Sequence, residues 1–149
     1  MTNSFLYFGY GCALNPTLVE FRVNQPVEII CSGEIKDYTL KFNRKNPDGT
    51  ARANLSPVTD DFTLGLVYKI SKSKFEQLGQ TEPEYSLSEF DVFTENGTVT
   101  AYAFICHHCE DEIVPDKKEV NRIAEYAKLL GFPESYIDKI LSALPEKTI

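Results

Sequence analysis

In the first part of the chain, apolar side chains fall in short runs or at every second position, with turn residues between them. That pattern predicts strands. Phe5 to Tyr10 is a dense aromatic and aliphatic run ended by Gly11, consistent with a buried strand. Glu28 to Ile35 predicts a second strand and Tyr38 to Phe42 a third, with Tyr38, Leu40 and Phe42 alternating at period two. Asn46-Pro47-Asp48-Gly49 predicts a turn, because proline presets φ and glycine accepts a positive φ. A strand is expected over Ala51 to Leu55, stopping at Pro57, and another over Leu64 to Ile70. Tyr85 to Phe93 and Val99 to Cys106 form a predicted hairpin closed by Glu95-Asn96-Gly97.

The helical signals come later. Ser73 and Glu76 have capping-box spacing and open a short predicted helix to about Gln80. Asp116 and Glu119 repeat that spacing. The helix they open sets Val120, Ile123, Ala124, Ala127 and Leu130 on one face. Gly131 supplies a left-handed stop, and Pro133 starts a further helix running to about Ala143. Many strands followed by gathered helices predict an α+β fold. No internal repeat, linker or low-complexity segment is visible.

Composition narrows the picture. A chain of 149 residues with 42% hydrophobic and 25% charged residues is ordinary for one soluble globular domain spanning residues 1–149. It is long enough to bury a core without disulfides or metal. The net charge of −7 opposes phosphate backbones and anionic lipid, so nucleic acid and membranes are not expected partners. Met1 to Leu6 has no basic segment, and the apolar stretch after it is broken by Gly9, Gly11 and Asn15. No export signal is therefore expected, and no run approaches the ~20 apolar residues of a spanning helix. A cytoplasmic location follows as an expectation, with Cys12, Cys31, Cys106 and Cys109 as free thiols.

Candidate chemistry concentrates at Tyr7-Phe8-Gly9-Tyr10-Gly11-Cys12-Ala13-Leu14. Glycines there let the backbone bend and approach a ligand, and successive N–H groups in such a bend can bind an anion. On its own this pattern is most simply a tight turn. Cys106-His107-His108-Cys109 suggests metal at first glance. Consecutive strand residues point to opposite faces, however, so four in a row poorly surround a tetrahedral ion. A structural strand end is the favoured reading, with no metal and no cofactor expected. Cys12 in a glycine-rich loop is a candidate nucleophile, with His107 or His108 as its base.

The same loop resembles the Tyr-Gly-Ser-Asn-Leu signature of the γ-glutamylcyclotransferases, with Tyr10, Gly11 and Leu14 matching. Ala51-Arg52-Ala53-Asn54-Leu55-Ser56-Pro57 followed by Gly65-Leu66-Val67-Tyr68 resembles that family's central hairpin. Leu78-Gly79-Gln80-Thr81-Glu82-Pro83 resembles its Leu-Asp-x-x-Glu-Gly segment, and Gly131-Phe132-Pro133-x-x-Tyr136 its Gly-Leu-Pro-x-x-Tyr. The ordered set covers Phe5 to about Leu141. It implies a small mixed β-barrel with flanking helices and a cavity at the first loop.

The resemblance also implies a reaction and a site. The α-amine of a γ-glutamyl compound attacks its own γ-carbonyl, giving 5-oxoproline and releasing an amine or amino acid. A carboxylate must first take a proton from the ammonium and can later deliver it to the departing nitrogen. Glu82 aligns with that carboxylate; its plain reading is a solvated loop glutamate. Tyr10, Gly11, Cys12, Ala13 and Leu14 align with the substrate-binding loop. The implied partner is a small γ-glutamyl substrate, and a homodimer is compatible with the sequence. Cys12 and Ala13 stand where the family has serine and asparagine. Glu119 stands in place of a tyrosine and is adequately explained as a capping residue, and Tyr126 stands where a glycine is common. These departures leave a second reading, a catalytically inactive relative that keeps the cavity as a small-molecule binding module.

Overall fold

The computed structural model describes residues 4–80, 85–107, 109–110 and 113–144. Five strands are β1 (Ser4–Gly9), β2 (Glu28–Lys45), β3 (Ala51–Ser71), β4 (Ser86–Thr94) and β5 (Gly97–Ile105). They close into a barrel in the order β1-β3-β2-β4-β5. All neighbours are antiparallel except β1 and β5, which meet in parallel at Tyr7 and Tyr102. The helices are α1 (Pro16–Val23), α2 (Lys72–Gln80), α3 (Lys117–Leu129) and α4 (Glu134–Leu141), with a 3-10 turn at Gly11–Leu14. This is the expected mixed barrel with flanking helices. No helix among the described residues is long and apolar enough to cross a membrane.

Strand alternation builds two cores back to back. Phe8, Ile35, Leu55, Val67, Val92, Ala101, Ala103 and Ile105 come from all five strands and fill the barrel interior. Their odd-numbered or even-numbered neighbours Tyr7, Leu66, Tyr68, Ile70 and Phe104 point outward, where Val19 and Val23 of α1 and Phe75 and Leu78 of α2 cover them. The unbroken apolar run at β1 is thus explained by burial on both faces. A third cluster joins Val120, Ile123, Ala124 and Ala127 of α3 to Tyr136 and Ile140 of α4.

Several expectations are corrected. The second and third predicted strands are one, β2, and the strands on either side of Pro57 are one, β3. Pro57 is exposed and paired with Tyr38 beside a large register shift, where Asp37 and Asp60 both adopt positive φ. A bulge tolerates proline because the ladder is already interrupted there. Helix α1 carried no sequence expectation; Asn15 caps it by accepting from the Thr17 N–H, and Pro16 opens it. Helix α2 begins at Lys72, which places Ser73 inside it. Leu130 caps α3 and is 36% exposed, so it lies off the buried face. Gly131, at φ +77, ends that helix as expected, with the Phe132 N–H returning to the Ala127 carbonyl.

Candidate functional site

The loop after β1 is fixed from several sides. Gly11 adopts φ +61, and a Cβ there would come within 2.9 Å of the Ala53 Cβ. Left-handed geometry and close approach both require glycine at this point. Ala13 N–H donates to the Tyr10 carbonyl at 3.1 Å, closing the 3-10 turn. The Gly11 and Cys12 N–H groups stand at the start of that turn. Tyr68, fully buried, donates its hydroxyl to the Ala13 carbonyl at 2.7 Å. Tyr10 donates to the carbonyl of Phe104 on β5. Asn15 donates to the Tyr126 hydroxyl at 2.9 Å, which ties the loop to α3.

A cleft of about 40 Å³ opens at this loop, lined by Tyr10, Cys12, Ala13, Arg22, Arg52 and Glu119 among others. Beside it lies an outer basin of about 320 Å³ that shares Cys12, Arg22, Arg52 and Glu119 and adds Lys118, Arg122 and Tyr126 among others. The charged residues come from three elements: Arg22 from α1, Arg52 from β3, and Lys118, Glu119 and Arg122 from α3. Arg22 donates to the Cys12 sulfur at 3.8 Å. Arg44 and Arg52 pair across β2 and β3, and their guanidinium carbons lie 5.3 and 5.8 Å from the Tyr85 ring centroid. Tyr85 in turn donates to the Ala53 carbonyl at 2.7 Å and forms one wall. A larger apolar hollow of about 420 Å³ beside α2 contains none of these loop residues.

Burial pushes the Glu119 carboxyl above its ordinary range, against the pull of Arg52; Asp116 adds to the rise, while Arg122 and Arg22 oppose it. Asp116 does cap α3, accepting from the Lys118 N–H at 3.0 Å. No reciprocal bond from Glu119 to the Asp116 amide forms, and Glu119 faces the cleft instead. Its capping reading is therefore replaced by a place in the site.

The expected residues distribute unevenly. Tyr10, Cys12 and Ala13 line the cleft. Gly11 shapes the loop from behind, and Leu14, 2% exposed, packs into the α3–α4 core with Val120 and Ile123. Glu82 lies outside the described residues, as do Pro83 and His108. His107 is exposed and is not part of the cleft wall. Beyond Ile105 the chain is sealed by Asn54, which accepts from the Cys106 N–H and donates to the Cys106 carbonyl, both at 2.9 Å. None of the four cysteines is in a disulfide. Among the described residues, no cluster of histidine, cysteine and carboxylate side chains is arranged to hold a metal. Arg22 and Arg52 were not among the expected site residues, Arg52 having stood only within the segment that resembles the central hairpin. The Asn15-Pro16 pair, a helix cap followed by a first-turn proline, was the available signal for α1 and so for Arg22.

No protein-family model matches the chain, and no curated protein matches it in sequence. Solved structures do. An uncharacterized protein from Homo sapiens superposes with a TM-score of 0.85 at 24% identity, covering 99% of this chain and 92% of its own. A γ-glutamyl cyclotransferase superposes with a TM-score of 0.84 at 24% identity, covering 97% and 90%. The chain has the γ-glutamylcyclotransferase-like fold. YkqA from Bacillus subtilis shares this fold at a TM-score of 0.80 and 23% identity, with 98% of this chain matching 57% of YkqA. At these identities the likeness is one of fold. The γ-glutamylcyclotransferase-like barrel brings its first loop, α1 and the start of α3 to one end, where the cleft and basin lie.

Proposed function

We propose that this chain is a γ-glutamylcyclotransferase-type enzyme that cyclises a small γ-glutamyl amide to 5-oxoproline and releases an amine or amino acid. The observation that carries the reading is the cleft itself: the loop residues Tyr10, Cys12 and Ala13 line it together with Arg22 and Arg52. Backbone amides of a loop suit a developing oxyanion, and a guanidinium suits the substrate α-carboxylate. In the reaction the α-amine nitrogen forms a bond to the γ-carbon, and the bond from that carbon to the departing nitrogen breaks. The ammonium loses two protons on becoming the lactam N–H. Glu82 takes the first before attack and gives it to the leaving nitrogen; the second, shed by the ring nitrogen, leaves with the released amine as its ammonium, so no cofactor or metal takes part. Glu82 has this role by resemblance alone. The nucleophile belongs to the substrate, so holding it against the carbonyl supplies much of the acceleration.

The second reading is a small-molecule binding module without turnover. It is favoured by Cys12 and Ala13, which bring no hydroxyl or amide to the loop, and by the small inner cleft of about 40 Å³. Incubation with a panel of γ-glutamyl amides and detection of 5-oxoproline separates the two. Release of 5-oxoproline by the purified protein is expected. Binding of those compounds with no release from any of them establishes the binding module.

A further inference from the structure

The outer basin has a charge pattern that the proposed reaction does not require. Arg22 and Arg52 line both the inner cleft and the basin, whereas Lys118 and Arg122 line the basin only. The described carboxylates beside them are Asp116 and Glu119. Asp116 is engaged as the cap of α3, and Glu119 lies within the field of Arg52, Arg122 and Arg22. Four cations therefore border one hollow on a chain whose net charge is −7. A local positive basin on an acidic surface concentrates anions that the rest of the surface repels.

Depth assigns the cations different tasks. The inner arginines stand where the γ-glutamyl head and its α-carboxylate would enter. Lys118 and Arg122 stand further out, beside the part of the ligand that leaves. A hollow of about 320 Å³ has room for one further residue-sized group. We propose that the basin is a specificity subsite for an acidic leaving group, so that the preferred ligand is a γ-glutamyl compound whose released part carries two carboxylates. Release of that part rests on the cyclotransferase reading; the charge preference itself does not.

γ-Glutamyl-glutamate and γ-glutamyl-glutamine have nearly the same shape and differ by one charge, so they isolate the subsite. KM is read from 5-oxoproline release, and Kd separately by titration calorimetry. The acidic compound is expected to bind more tightly by about twofold to thirtyfold at low salt, the range that two exposed ion pairs supply. The double variant Lys118→Gln with Arg122→Gln is expected to lose most of that preference. Lys118 and Arg122 are both exposed, so the fold is retained. Equal affinities in the wild type, or a preference untouched by the double variant, overturn the subsite; if 5-oxoproline still forms, the proposed function survives. A preference that the variant removes, without 5-oxoproline from any compound, keeps the subsite and overturns the cyclotransferase reading. Failure of both compounds to bind overturns both.

Discussion

The Arg22 guanidinium donates to the Cys12 sulfur at 3.8 Å, joining α1 to the loop that follows the first strand. This places a cation beside the thiol, an arrangement that also occurs around reactive cysteines. The proposed reaction needs no enzyme nucleophile, so Cys12 is expected to line the site as a passive contact. A hydroxyl in its place keeps an acceptor for Arg22. Cys12→Ser should therefore retain or improve 5-oxoproline release. Loss of all turnover with ligand affinity intact would make Cys12 the nucleophile.

Glu82→Gln tests the proton transfer. Glutamine has the same shape but cannot accept the ammonium proton. Turnover is expected to fall by about two to four decades, the range for a positioned acid–base group. Affinity measured by calorimetry should change far less. Wild-type turnover in this variant would move the proton transfer to another group, and Glu119 is the carboxyl already known to line the cleft.

Glu119 makes stability depend on pH in a defined direction. Its folded-state pKa is raised above the ordinary 4.5 by burial, outweighing the pull of Arg52. The folded state thus holds the proton more tightly than the unfolded chain. Its contribution is fully present below about pH 4.5 and is lost as pH rises through the folded value. Glu119→Gln removes that loss. The variant should melt at a higher temperature than the wild type at pH 7, with the gap closing as pH falls below 4.5. A lower melting temperature at pH 7 would mean that the surrounding arginines outweigh burial.

The Tyr68 hydroxyl holds the Ala13 carbonyl at 2.7 Å inside the core. Burial pushes the Tyr68 phenol well above its ordinary range, so it stays a donor at any physiological pH. Tyr68→Phe leaves that carbonyl without its partner. A loss of about 1–3 kcal/mol is expected from denaturant unfolding, the cost of an unsatisfied buried acceptor. Because the same bond fixes the loop, KM should rise as well. An unchanged KM would show that the loop is held without it.

Much of the fold could be read locally because its signals are local. The β4–β5 hairpin follows from Asn96-Gly97, and Gly97 indeed takes φ +113. The Asp116 cap, the buried face of α3 and the Gly131 stop each lie within a few residues of their cause. Pro57 misled because a proline's effect depends on its ladder partner, here Tyr38 across a bulge. Helix α1 was missed because its buried residues are only Val19 and Val23, too few to show a period.

Residue type and spacing determined the strand alternation, the late helices, the glycine loop and the resemblance that set the barrel as the expectation. Closure of the barrel was decided only in three dimensions, because β1 must meet β5 far along the sequence, at Tyr7 and Tyr102. The site was decided in the same way. Arg22, Arg52, Glu119 and Arg122 are ordinary surface charges in a linear reading, spread over α1, β3 and α3. They become one basin because α1, β3 and α3 pack against the same loop, and neither the charge pattern nor the raised Glu119 exists before they meet.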